Sequence, residues 1–351
     1  MRNTTSRHGL LSSILLPAAM LAACAPTGAE LETSRLLPDG TPRDAVTVSS
    51  ESDAPGAATE HRGTYTEDEA GRVTFAAHDP ARALRSVAAY DLVHREAATA
   101  PRADEGARDE PRTLATPITQ NIQGLSDNRA RVSTASLSNA PYRMIVQYTI
   151  SMGDGTAQYC SGTLIGSRYV ATAAHCVYDR HDDAWIYGAN NTRGQVCING
   201  LCANVIARKR NAEWDNATDA HFREHDYAML KLDADLGSTN GTMLLSSITS
   251  DSTVRGLDAQ LYAFPAEPPN GTLPGSTNMW GMHCDVTTAY TGRLAYNCDT
   301  TGGQSGGPLF YRNDNGSYYL LAVHSGPNTF DNTGARVSTI RQWFIDEMAG
   351  W

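Results

Sequence analysis

The sequence predicts an all-β domain from about Ala140 to Trp351, closed by a single C-terminal helix. Two observations predict it. Short runs rich in β-branched and aromatic residues recur between Gly, Asn, Asp and Pro turns, the pattern of successive strands. Apolar residues at helical spacing are rare until Ser338, after which Ile340, Trp343, Phe344 and Met348 share one face. Many short strands and one terminal helix suit a barrel pair or a sandwich.

The elements follow in order along the 351 residues. Arg2, Arg7 and His8 precede a short apolar stretch, Leu10–Ala23, too short for a comfortable membrane span. Residues 1–23 read as a secretory signal peptide. Its end, Leu21-Ala22-Ala23-Cys24, resembles a bacterial lipoprotein lipobox, in which the cysteine is lipidated. Residues 24–139 are largely irregular in pattern. Between Ala25 and Asn139 they hold 18 acidic and 12 basic residues and no cysteine or lysine. A short strand is expected at Arg72–Phe75 and a helix over Ala81–Ala98. This segment reads as a propeptide that assists folding or blocks a site, or as a flexible tether.

The domain at 140–351 then gives strands at Met144–Ile150, Tyr159–Ile165, Tyr169–Ala171, Ala203–Ala207 and Ala228–Leu232. Further runs are Gln260–Phe264, Gly307–Tyr311, Tyr318–Val323 and Ala335–Val337. Ser338 is the expected cap of the last helix. Composition excludes several classes. Hydrophobic residues make up 41% and charged residues 19%, which argues against a wholly disordered or coiled-coil chain. The formal net charge of −10 argues against a nucleic-acid binder. The one basic run, Arg208-Lys209-Arg210, is too short to outweigh it.

Three segments carry chemistry. Thr172-Ala173-Ala174-His175-Cys176 follows an apolar strand, and His225-Asp226-Tyr227-Ala228-Met229-Leu230 places an acid before another. Thr300-Thr301-Gly302-Gly303-Gln304-Ser305-Gly306-Gly307-Pro308-Leu309 surrounds one serine with four glycines. A serine hydroxyl is a poor nucleophile unless an imidazole takes its proton. The imidazole needs a buried carboxylate to fix its tautomer. Backbone amides must meet the developing oxyanion, and glycines let the chain turn them inward. His175, Asp226 and Ser305 supply the three side chains, and the amides of Gly303 and Ser305 the oxyanion hole.

Residues 140–351 resemble a chymotrypsin-type, trypsin-like serine protease on these three blocks. The resemblance implies two six-stranded antiparallel β-barrels, peptide-bond hydrolysis through an acyl-enzyme, and a zymogen. Gln304 departs from the family, whose animal members usually carry Asp there to accept the N-terminal amine freed on activation. Asp299-Thr300-Thr301-Gly302-Gly303-Gln304-Ser305-Gly306 with Ala322-Val323-His324 resembles the bacterial, V8-like glutamyl endopeptidases more closely. That resemblance implies His324 and Thr300 as donors to a substrate carboxylate, with Ser325 beside them, and cleavage after Glu. Asp299, six residues before Ser305, stands where trypsin-like enzymes bind Arg or Lys, and cleavage after those residues is the alternative. A non-catalytic protease-fold binding protein is the other, but such proteins usually lose a triad residue and none is missing here.

The family resemblance also pairs Cys160 with Cys176. Cys197 and Cys202 flank Asn199-Gly200, a tight-turn signal that favours a local bridge. Cys284–Cys298 is then the remaining pair. No Cys-x-x-Cys occurs, so no metal site and no cofactor are expected. The expected partners are protein or peptide substrates, with no nucleic acid, and membrane contact only through a lipid on Cys24. The chain reads as an exported monomer, a cell-envelope lipoprotein and/or secreted after processing.

Overall fold

The computed structural model describes residues 63–79, 86, 90, 122, 127–153, 155–217, 221–266, 278–328 and 331–351. The signal segment, the lipobox with Cys24 and most of residues 24–126 lie outside them. So does most of the helix expected over Ala81–Ala98, of which Ser86 and Tyr90 are described, both helical.

Six strands close into a barrel: Ile145–Ser151, Ala157–Gly166, Tyr169–Thr172, Ala228–Leu232, Leu201–Asn211 and Gln195–Ile198. Each is antiparallel to the next, and Gln195–Ile198 pairs back onto Ile145–Ser151. The interior is filled by alternating apolar residues such as Val146, Tyr148, Ile150, Leu164, Val170 and Leu230, all essentially inaccessible. The second sheet runs through Val286–Ala289, Arg293–Tyr296, Asn332–Arg336, Tyr318–Pro327, Pro308–Arg312, Ala259–Ala263 and Trp280–Cys284. It is a half-barrel. Its two ends meet through chain continuity at Asp285, with no ladder between Trp280–Cys284 and Val286–Ala289 among the described residues.

The strands at Gln195–Ile198, Trp280–Cys284, Val286–Ala289 and Arg293–Tyr296 were not among the expected runs. Gly281 shows why such a strand is hard to read. It breaks the β-rich pattern, yet a Cβ there would lie 2.1 Å from the Leu261 carbonyl, so the ladder needs glycine. The C-terminal helix spans Val337–Ala349 and buries Ile340, Trp343, Phe344 and Ile345. Ser338 does not cap it. Arg336, the last strand residue, is the N-cap, and the Ser338 hydroxyl accepts from Arg336 Nε at 3.1 Å. Strand passes directly into helix because Val337 is needed in the core.

Before residue 140, Gly63–Glu67 and Val73–Ala77 form a hairpin, more order than a largely irregular segment implies. Gly63–Glu67 adds to the free edge of Leu201–Asn211, opposite Arg208, Lys209, Arg210 and Asn211. Glu67 is fully buried and accepts from Arg208 Nε (2.6 Å), Arg193 Nε (2.9 Å) and the Tyr187 hydroxyl (2.6 Å). The basic run is thus interior. Lys209 pairs with Glu347 at 2.8 Å and Arg210 with Asp215 at 2.6 Å.

Candidate active site

Register explains how His175 and Asp226 meet. Strand Ala228–Leu232 pairs with Tyr169–Thr172 so that Ala228 faces Thr172. Asp226 sits two residues before the first of these and His175 three after the second. His175 lies in a 3-10 turn, Ala174–Cys176, and Cys176 is bonded to Cys160 on the next strand. The Asp226 carboxylate spans the turn. Oδ1 accepts from the His175 amide at 2.9 Å, and Oδ2 lies 2.7 Å from the imidazole Nδ1. The Ser325 hydroxyl donates to the same Oδ2. Asp226 is fully buried, and the His175 side chain is 35% exposed. Burial disfavours the charged imidazole, but the Asp226 carboxylate outweighs it and raises the His175 pKa. Burial likewise disfavours the Asp226 anion, and the charge and hydrogen bonds of His175 with the Ser325 hydroxyl keep its pKa lowered.

Ser305 comes from the other sheet, on a turn leading into Pro308–Arg312. Gly303 has φ +90° and Gly306 φ +81°, conformations that L side chains rarely adopt. A Cβ at Gly303 would also lie 2.4 Å from the Ala266 amide nitrogen, and one at Gly306 would lie 2.3 Å from Thr172 Oγ1. Ser161 ties the two sheets together. Its amide donates to the Ser305 carbonyl at 2.7 Å. Its hydroxyl donates to the Gly303 carbonyl at 2.9 Å and accepts from the Phe264 amide at 2.9 Å. Ser161 follows Cys160, so one stretch of strand fixes both the histidine turn and the serine turn. Ser305 is partly exposed, and among the described residues its hydroxyl makes no hydrogen bond. Such contacts often tighten only with substrate in place.

The expected specificity residues are all buried close to the serine turn. His324 Nδ1 lies 2.6 Å from the Tyr296 hydroxyl. Burial first, then the nearby His175 and Arg223 charges, push the His324 pKa down to about 3, so its imidazole is neutral. The Thr300 hydroxyl donates to Asn332 Oδ1 at 2.8 Å, and Asn332 Nδ2 donates to the Cys298 carbonyl at 2.7 Å. The Asp299 carboxylate is buried and accepts from the Asn128 amide at 2.7 Å. Ser325 sits on Asp226. Ser161, Tyr296 and Asn332 were missed by the sequence reading. Only Ser161 carried a signal, its place next to a bridged cysteine.

All three expected disulfides form: Cys160–Cys176, Cys197–Cys202 and Cys284–Cys298. Cys197 faces Cys202 directly across the Asn199-Gly200 turn, both turn residues having positive φ. Among the described residues, Cys160, His175 and Cys176 form a group close enough to share a metal ion. The two sulfurs are bonded to each other, so the group does not fit a thiolate metal site.

The profile of the Trypsin family matches residues 131–344, well over half of the chain. The chain belongs to the trypsin family of serine peptidases. A protein named glutamyl endopeptidase from Bacillus licheniformis is 27% identical over 232 residues, covering 64% of this chain and 67% of that one. One named extracellular metalloprotease from Bacillus subtilis is 30% identical over 234 residues, covering 64% of this chain and 70% of that one. A solved Glu endopeptidase in complex with MPD aligns over 66% of this chain and all of its own, with a TM-score of 0.54 at 24% identity, which shows the shared fold. As in the family, the substrates of this peptidase are proteins or peptides.

Proposed function

We propose that the chain is an exported endopeptidase that cleaves after acidic residues, with His175, Asp226 and Ser305 as its triad. The observation that carries the mechanism is the buried Asp226 carboxylate gripping both the His175 amide and Nδ1, with the serine turn stitched beside it by Ser161. Asp226 holds the proton on Nδ1, which leaves Nε2 to act as base. Nε2 takes the Ser305 proton as Oγ attacks the peptide carbonyl. The tetrahedral oxyanion meets the amides of Gly303 and Ser305, and Nε2 then gives its proton to the leaving amine. Water repeats the sequence on the acyl-enzyme and releases the acid.

The pocket chemistry supports acidic specificity. With the Tyr296 hydroxyl assigned as donor to Nδ1, the single proton of neutral His324 sits on Nε2, where a substrate carboxylate would share it with the Thr333 backbone. Asp299, the rival anchor for Arg or Lys, is buried and holds the Asn128 amide instead. The Thr300 hydroxyl is spent on Asn332, so His324 bears most of the recognition. Export is supported by three disulfides and by the relative whose name calls it extracellular. No helix among the described residues is long and apolar enough to cross a membrane.

Two comparisons test this reading. Ser305→Ala should lower kcat by several orders of magnitude with the fold retained. Paired peptides with Glu or Arg before the scissile bond should show faster cleavage after Glu. A preference for Glu that survives His324→Ala would contradict the pocket assignment, and faster cleavage after Arg would overturn acidic specificity.

A further inference from the structure

Arg129 lies behind the serine turn, fully buried, with no assigned role so far. Its guanidinium is divided between two sets of acceptors. Nη2 and Nε bind the Asp127 carboxylate at 2.6 and 3.0 Å. Nη1 donates to Gln304 Oε1 at 2.5 Å and to Thr301 Oγ1 at 2.9 Å. The surrounding segment is sewn to the same region. The Asn128 amide holds Asp299, Ala130 and Arg131 pair with Gly281 and Trp280, and the Val132 amide donates to the Met279 carbonyl at 2.9 Å.

Gln304 immediately precedes Ser305, so whatever fixes its side chain constrains the turn that presents both Ser305 and the Gly303 amide. Gln304 Oε1 also accepts from the Thr301 amide at 2.9 Å, closing the turn on itself. A neutral amide here needs no free ammonium ion for charge balance. The Arg129 cation brings its own counter-ion in Asp127, and its remaining donors fit two neutral oxygens. Without it, Gln304 Oε1 keeps the Thr301 amide alone, and Asp127 is left buried without its cation.

We propose that Arg129 is a positioning residue, an internal guanidinium that holds the Thr301–Ser305 turn in its working form, so that activity requires an unbroken chain from Asp127 onward rather than a freed N-terminal amine. This rests on Ser305 being the nucleophile. It also confines any activating cleavage to the chain before Asp127.

The test uses the full chain carrying Arg129→Ala or Arg129→Lys. Arg129→Ala should lower kcat about 100-fold, because a turn displaced by about an ångström misplaces the nucleophile. KM should change less than about twofold, since Arg129 touches no substrate. Arg129→Lys should recover part of the loss, and added methylguanidine should restore activity to Arg129→Ala but not to Ser305→Ala. A folded Arg129→Ala with wild-type kcat, or a loss that methylguanidine leaves unchanged, overturns the proposal. If Arg129→Ala does not fold, N-terminal sequencing of the active wild-type species decides. A start at or before Asp127 supports the proposal, and a fully active species starting after Asp127 overturns it. Failure of Ser305 as nucleophile would appear separately, as activity retained in Ser305→Ala.

Discussion

As the proposed general base, His175 should set the pH dependence of this peptidase. Burial lowers its pKa, and the Asp226 carboxylate 2.7 Å from Nδ1 more than reverses that, leaving it above the ordinary 6.5. A general base must be unprotonated, so kcat/KM should fall as pH drops through this raised pKa. Asp226→Asn removes the anion, which should move the limb to lower pH and cost roughly 10⁴ in rate, as for the same change in other triads. His324, pushed down to about 3, stays neutral and adds no second limb near neutrality. A pH–rate profile of the two enzymes checks this, and a limb unmoved by the substitution would contradict it. His175 and Asp226 were legible in the sequence because each sits in a short block whose residue types the chemistry demands, and His324 through the family resemblance alone. Tyr296 and Asn332 were not, since each acts through a partner that only folding supplies: His324, 28 positions on, and Thr300, 32 positions back.

At the scale of elements, the hairpin Gly63–Ala77 depends on the buried Glu67 carboxylate, which pairs with both Arg208 and Arg193. Glu67 and Arg208 are both fully shielded, on strands 141 positions apart. Removing one partner of such a pair leaves the other charge buried and costs about 3–5 kcal/mol. Glu67→Ala should therefore lower Tm by roughly 10 °C in a domain of this size. The companion Arg208→Met in the same chain should return part of it, because the more deeply buried of the two stranded cations is gone. Thermal unfolding of the single and double variants measures both effects, and an unchanged Tm in Glu67→Ala would remove the hairpin from the folded core. The sequence pointed to a strand near Arg72–Phe75 but not to this hairpin. Acidic runs around it read as irregular, and nothing local marks Glu67 as interior. The expected strands of the barrels lay close to those observed, because one buried face imposes a pattern on them. The four unexpected strands are only four or five residues long, too short to set a clear alternation, and in Trp280–Cys284 backbone contact at Gly281, not side-chain burial, sets the residue.

Across the whole molecule, two sheets each supply part of one site. The closed barrel brings His175 and Asp226, the half-barrel brings Ser305 and His324, and Ser161 crosses between them. The C-terminal helix braces the arrangement, with Trp343 and Phe344 packed on Tyr227 at centroid distances of 5.0 and 6.0 Å, next to Asp226. The relative whose name calls it a metalloprotease makes the catalytic group the claim most in need of direct chemistry. That test is labelling of the native protein with a sulfonyl fluoride, followed by peptide mapping, with activity followed in the presence and absence of a chelator. Serine catalysis predicts one adduct, on Ser305, appearing in step with loss of activity and unaffected by the chelator. Loss of activity on chelation, with Ser305 unlabelled, would contradict it.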